Sequence, residues 1–187
     1  MGNLAAALGT EAQSETISFK GKRMEIRPLS VEVLDKFENS FIERARRAKI
    51  ATWADLVNAG VMTREEAQAK AEKFTDDCVE GGTYAFGSQA MNRALFDQDA
   101  MPTEEEMQVK QRTAEQNPAL EAERLNNLPT HVKLNKLKLF ALMMDVTVDD
   151  LKELLEDEQK RVEFMAKMAK VWKQSLPDPK ATGAAAA

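Results

Sequence analysis

The sequence predicts a mainly α fold: an N-terminal β-hairpin, then a multi-helix domain with a long C-terminal amphipathic helix. Three observations predict it. Clean apolar–polar alternation is confined to residues 16–27. Helix-start signals, Ser or Thr with an acidic residue three positions on, recur along the rest. The C-terminal part carries apolar side chains at steps of three and four.

The hairpin comes first. Ile17 and Phe19 alternate with polar residues, and so do Met24 and Ile26. A two-residue loop at Gly21-Lys22 would pair Phe19 with Met24 and Ile17 with Ile26, leaving all four on one face. Gly at the first loop position suits a type II′ turn, whose φ is positive there. A lone hairpin is marginal in water, so that face must dock on helices or on a partner. Pro28 ends the second strand. Ser30 then caps a helix from Val31 to about Lys49, with Leu34, Phe37, Phe41 and Ala45 on its apolar face.

Thr52 with Asp55, Thr63 with Glu66, Thr103 with Glu106 and Thr147 with Asp150 all have capping-box spacing. Gly60 ends the segment after Trp53, Gly81-Gly82 ends the next, and Ser88 caps a helix carrying Met91, Leu95 and Phe96. From Asp97 to Glu123 eight acidic residues face two basic ones with few large apolar side chains, which reads as a linker. The last two helices run from about Val132 to Met144 and from about Val148 to Ser175. Along the second, Leu151, Leu155, Glu158, Val162, Met165, Ala169 and Trp172 form a heptad seam with one polar interruption. The expected plan is a flexible leader (1–15), a hairpin plus helical domain (16–96), an acidic linker with short helices (97–130), a C-terminal helical hairpin (131–176) and a flexible tail (177–187).

Composition narrows the function. The chain has 187 residues, 43% hydrophobic and 30% charged, with a mean hydropathy of −0.46. Its longest apolar run, Leu139 to Met144, is far short of the ~20 residues a membrane span needs. The N-terminus has no basic stretch followed by an apolar one, so a cytoplasmic, reducing setting is expected. One Cys and one His cannot build a zinc site between them, and a His-dependent catalytic group would have to use His131. The net charge of −5 argues against duplex DNA as the main partner.

Each candidate constellation has a plainer reading. Cys78 and His131 could form a thiolate–imidazole pair, but spacing does not bring them together. The Gly81–Ser88 segment could cradle a phosphate at a helix start, yet it lacks the Gly-Lys-Ser/Thr end of a P-loop and reads as a turn with Tyr84 and Phe86 on the core. The acidic runs at 104–106 and 149–150 do not converge on a point when placed on a helix. No catalytic residue, cofactor or metal site is therefore expected. The basic set Lys20, Lys22, Arg23, Arg44, Arg46, Arg47 and Lys49 is the best nucleic-acid candidate, with Arg44, Arg46, Arg47 and Lys49 at its centre, but it lacks interleaved aromatics. Met143, Met144, Met165 and Met168 cluster with Phe140, Phe164 and Trp172, and Met-rich surfaces adapt to varied partners. The last helix carries more apolar surface than the short one before it can cover, with Phe164, Met168 and Val171 partly off the seam. That excess points to partner binding or self-association.

The order of these segments resembles a family. A hairpin reading Ile17-Ser18-Phe19-Lys20-Gly21-Lys22-Arg23-Met24-Glu25-Ile26-Arg27-Pro28-Leu29-Ser30 leads into an amphipathic helix. The Gly81–Ser88 segment leads into another. Val146-Thr147-Val148-Asp149-Asp150-Leu151 opens the last helix, and Trp172 precedes Pro177 and Pro179. This is similar to the tail assembly chaperones of long-tailed bacteriophages, over residues 17–50 and 134–172. The resemblance implies a non-catalytic protein of the host cytoplasm that binds the tape-measure protein and tail-tube subunits and is absent from the finished virion. An amphipathic Met-rich helix can lie against a long helix with an apolar face. The residues expected at that contact are Leu151, Leu155, Val162, Met165, Met168 and Trp172, then Phe19, Met24 and Ile26. Two alternatives stand beside it: a head, connector or tail component retained in the virion, and a nucleic-acid-binding regulator.

Overall fold

The computed structural model describes residues 14–175, save the side chains of Glu104 and residues 173–175. Most of the expected leader (1–13) and all of the expected tail (177–187) lie outside the described residues. Two strands, β1 (Glu15–Phe19) and β2 (Lys22–Ile26), precede eight helices. These are α1 (Val31–Asn58), α2 (Arg64–Glu80), α3 (Gln89–Phe96), α4 (Glu104–Gln116), α5 (Pro118–Asn127), α6 (Thr130–Met144), α7 (Val148–Glu156) and α8 (Glu158–Ser175). The mainly α class, the N-terminal hairpin and the long closing helix are all present. The chain divides into two compact units. Residues 34–101 form an insert unit, and the described residues on either side of it, 14–33 and 102–175, form a hairpin unit.

In the hairpin unit, β1 and β2 pair antiparallel with Ile17 opposite Met24 and Phe19 opposite Lys22. The turn is Lys20-Gly21, not Gly21-Lys22. Both residues have positive φ, 49° and 76°, as a type I′ turn requires. Its twist matches that of the strands, and Gly takes the second left-handed position without strain. The register is therefore two residues from the expected one. A shift of two preserves the face, so Ile17, Phe19, Met24 and Ile26 still point the same way. Ile17 and Ile26 are fully buried. Just beyond β2, the Arg27 N–H donates to the Met143 carbonyl of α6 at 3.1 Å, and Lys167 Nζ of α8 donates to the Thr16 carbonyl of β1 at 2.5 Å.

Helix α6 is the most heavily buried helix of this unit. Val132, Leu137, Leu139, Phe140, Ala141, Met143 and Met144 are buried around most of its circumference. Phe140 meets Phe164 of α8 edge to face at 5.6 Å. The expected continuous helix from Val148 to Ser175 is two helices. Asp157 is extended (φ −73°, ψ 117°), and its Oδ1 accepts from the Lys160 N–H at 3.0 Å. An aspartate that caps the following turn competes with the helix that would run through it. Arg161 closes the other side by donating to the Leu155 carbonyl at 3.0 Å. The heptad seam is interrupted with it. Along α8 the buried residues are Phe164, Met168, Ala169 and Val171.

The acidic stretch does more than link. Helices α4 and α5 both pack on α8. They do so with Ala122 and Leu125 buried and with Gln111 Nε2 donating to the Ala169 carbonyl at 2.8 Å. Ala122, Leu125 and one side-chain-to-backbone hydrogen bond take the place of the larger apolar surface whose absence suggested a linker. This packing, with the hairpin, covers the off-seam apolar residues of α8.

In the insert unit, α1 runs through Thr52 to Asn58. The Thr52 hydroxyl donates to the Ala48 carbonyl at 3.1 Å, so it is a mid-helix threonine and not a cap. No Gly or Pro interrupts residues 31–58, and Gly60, at φ 71°, sits in the turn that follows. The other three capping boxes form, at Thr63, Thr103 and Thr147. Trp53 of α1 meets Phe74 of α2 edge to face at 6.2 Å, and Phe37 is fully buried beside Phe41.

Candidate partner-binding grooves

An open groove is present in each unit. The groove of the hairpin unit encloses ≈ 790 Å³. One wall is the hairpin, with Phe19, Lys20, Lys22, Arg23 and Met24. The other is the α6–α7 junction, with Asp145, Val146, Thr147, Asp150 and Glu153. The walls have opposite charge: Lys20, Lys22 and Arg23 face Asp145, Asp150 and Glu153. Lys20 and Glu153 form an ion pair across it. Asp150 is held below the usual carboxylate range by its hydrogen bonds to Thr147, with Lys22 a smaller influence. Asp145 turns the chain here in the left-handed conformation, φ 54°. Phe19 and Met24 are half-buried, apolar and accessible from the groove.

The groove of the insert unit is smaller, ≈ 370 Å³, between the C-terminal half of α1 and the start of α2. Ile50, Trp53, Ala54 and Val57 line one side, Ala67 and Ala71 the other, with Arg46, Asn58, Arg64 and Gln68 around them.

The expected contact residues divide by accessibility. Leu151, Leu155, Met168 and Ile26 are buried in the core of the hairpin unit. They hold the fold and offer no surface in this conformation. Val162, Met165 and Trp172 are half-buried on α8, away from the groove lining. Phe19 and Met24 share the groove. Met143 and Met144 are core, so much of the methionine cluster is interior packing.

The arginines of α1 do not make one basic stripe. At about 100° per residue, positions 44, 46, 47 and 49 spread around the helix. Arg44 lies over the Phe41 ring at 4.1 Å and donates to the Ser40 carbonyl, and burial lowers its pKa. Arg46 and Arg47 both lie beside Glu43, at 3.6 and 2.8 Å, and Arg47 holds that carboxyl low. Lys49 is exposed.

The Gly81–Ser88 segment is a turn packed on α1. The Phe86 N–H donates to Glu38 Oε1 at 2.7 Å, so a carboxylate already occupies a place an anion would want. Tyr84 packs near Phe41, and the Ser88 hydroxyl accepts from the Met91 N–H to cap α3. Cys78 is buried in the insert unit, and burial pushes its thiol pKa up, which disfavours the thiolate. His131 is exposed on α6 of the other unit. No group of three or more His, Cys, Asp or Glu among the described residues is placed to hold a metal ion, and no helix among them is long and apolar enough to cross a membrane.

Two features of the structure have no clear signature in the sequence. One is the groove of the insert unit, because α1 was expected to stop before Trp53. The other is Lys136 on α6, whose ammonium is desolvated with Lys110 adding repulsion and Glu121 opposing both. Residues 132–144 hold three lysines, Lys133, Lys136 and Lys138, and the sequence alone does not single out the desolvated one. No protein-family model, curated protein or solved structure matches the chain.

Proposed function

We propose that this chain is a non-catalytic assembly protein that binds other proteins, in the manner of the phage tail assembly chaperones its hairpin and closing segment resemble. The observation that carries the reading is the hairpin groove. It keeps Phe19 and Met24 half-open between a basic and an acidic wall. Apolar side chains in an open cleft with charge at both rims suit a protein segment. The tape-measure and tail-tube proteins are the partners the resemblance implies. The contact is assigned to Phe19 and Met24, with Val162, Met165 and Trp172 as a second accessible set. Leu151, Leu155, Met168 and Ile26 support the surface from beneath.

The test is co-purification from cells producing the phage, with the bound proteins identified by mass spectrometry. Recovery of a tape-measure or tail-tube protein, with the chain absent from purified particles, is the expected result. Recovery in finished particles with head, connector or tail proteins makes it a structural component instead. Recovery of nucleic acid, released as salt rises, turns attention to Arg44, Arg46, Arg47 and Lys49.

A further inference from the structure

The insert unit has a groove of its own, and its chemistry differs from that of the hairpin groove. We infer that the α1–α2 groove docks an amphipathic helix of a partner protein whose apolar stripe is flanked by acidic residues. The floor is apolar on both sides, with Trp53 and Val57 of α1 facing Ala67 of α2. Ile50, at its edge, is 39% exposed, a large aliphatic side chain left to water. The alanines on α2 leave room for side chains to enter between the two helices, the geometry of helix-in-groove recognition.

Charge selects the occupant. The lining holds two cations, Arg46 and Arg64, and no carboxylate. It does so in a chain of net charge −5. Among the described residues Arg46 pairs with Glu43 through one terminal nitrogen at a loose 3.6 Å, and no ion pair of Arg64 stands among them. Acidic residues at two positions along a docked helix can meet the two guanidinium groups, one at each end of the groove. A basic helix would meet like charge at the rim, which is how such a groove rejects the wrong partner. This inference rests on the insert unit alone and stands apart from the role assigned to Phe19 and Met24.

The probe is a fluorescein-labelled synthetic helix of about 18 residues, five turns, with Leu on one face and Glu flanking it. Its twin carries Lys in place of Glu. Both are titrated with the full chain and followed by fluorescence anisotropy. The Glu peptide is expected to bind at least about tenfold more tightly than the Lys peptide, a preference that added salt weakens. The double substitution Arg46→Glu, Arg64→Glu reverses the preference. Ile50→Asp weakens binding by about tenfold or more while the chain remains folded, its thermal midpoint being measured to show that it does. The midpoint of the arginine double variant is measured alongside. Equal affinity for the two peptides, a preference for Lys, or no binding by the folded chain overturns the inference. So does a dimer in sedimentation that Ile50→Asp dissolves, because a second copy is then the occupant.

Discussion

At Lys136 an ammonium group sits where water is scarce. Burial lowers its pKa from the ordinary 10.5, and Lys110 adds to the lowering. The folded state therefore releases this proton at a lower pH than the unfolded chain does. Between the two pKa values the unfolded state binds more protons, so stability rises with pH through that window, up to about 10.5. Below the window both states are charged and the full penalty of burial remains. Lys136→Met keeps the apolar stem and removes the charge. It should raise the thermal midpoint at pH 7 and flatten the alkaline rise, as thermal unfolding across a pH series would reveal. A lower midpoint at pH 7 would mean that the ammonium is stabilising where it sits. Lys20 gives a second prediction at this scale. It holds a left-handed φ of 49° before Gly21, where Asn-Gly is the preferred pair. Lys20→Asn should stabilise the chain by up to about 1 kcal/mol, although it removes the exposed ion pair with Glu153. Urea unfolding with no gain would assign that pair more weight than exposed pairs usually carry.

Among the elements, the α7–α8 break turns on Asp157. Asp157→Ala deletes the cap on the Lys160 N–H and should cost about 1 kcal/mol in urea unfolding. No loss would place the break in the packing of α7 and α8 on the rest of the unit. This break is also where sequence reasoning reached its edge. Thr63, Thr103 and Thr147 announce their helices because a capping box is local, satisfied by residues three apart. Thr52 has the same spacing and is mid-helix, because no residue before it stops α1. Asp157 is hidden within a heptad pattern that continues on both sides, and a pattern of apolar positions does not say where the backbone bends. The hairpin face was legible for a different reason. A register error of two residues leaves a period-two face intact, so Phe19 and Met24 were placed on the correct side from a turn assigned one residue late.

Over the whole molecule, partner binding as proposed depends on which apolar surface the fold leaves open. From sequence, α8 had more apolar surface than one short helix could cover. The hairpin, α4 and α5 cover it, and Phe164, Met168 and Val171 become core. Long-range packing of this kind has no local signature, and α4 and α5 achieve it with Ala122 and Leu125 in a stretch that reads as solvated. Among the described residues, what remains open is the hairpin groove, the α1–α2 groove, a few half-buried residues of α8 and single exposed side chains such as Val31, Val61, Val79 and Val109. The proposed partner contact therefore moves from the closing helix to the hairpin. The most direct test is affinity capture from phage-producing cells with the wild-type chain beside the double variant Phe19→Ser, Met24→Ser, the thermal midpoint of each being measured in parallel. The wild type is expected to retain a tape-measure or tail-tube protein, and the variant, still folded, to lose it. The same tail protein held equally by both chains, or none held by the wild type, would contradict it.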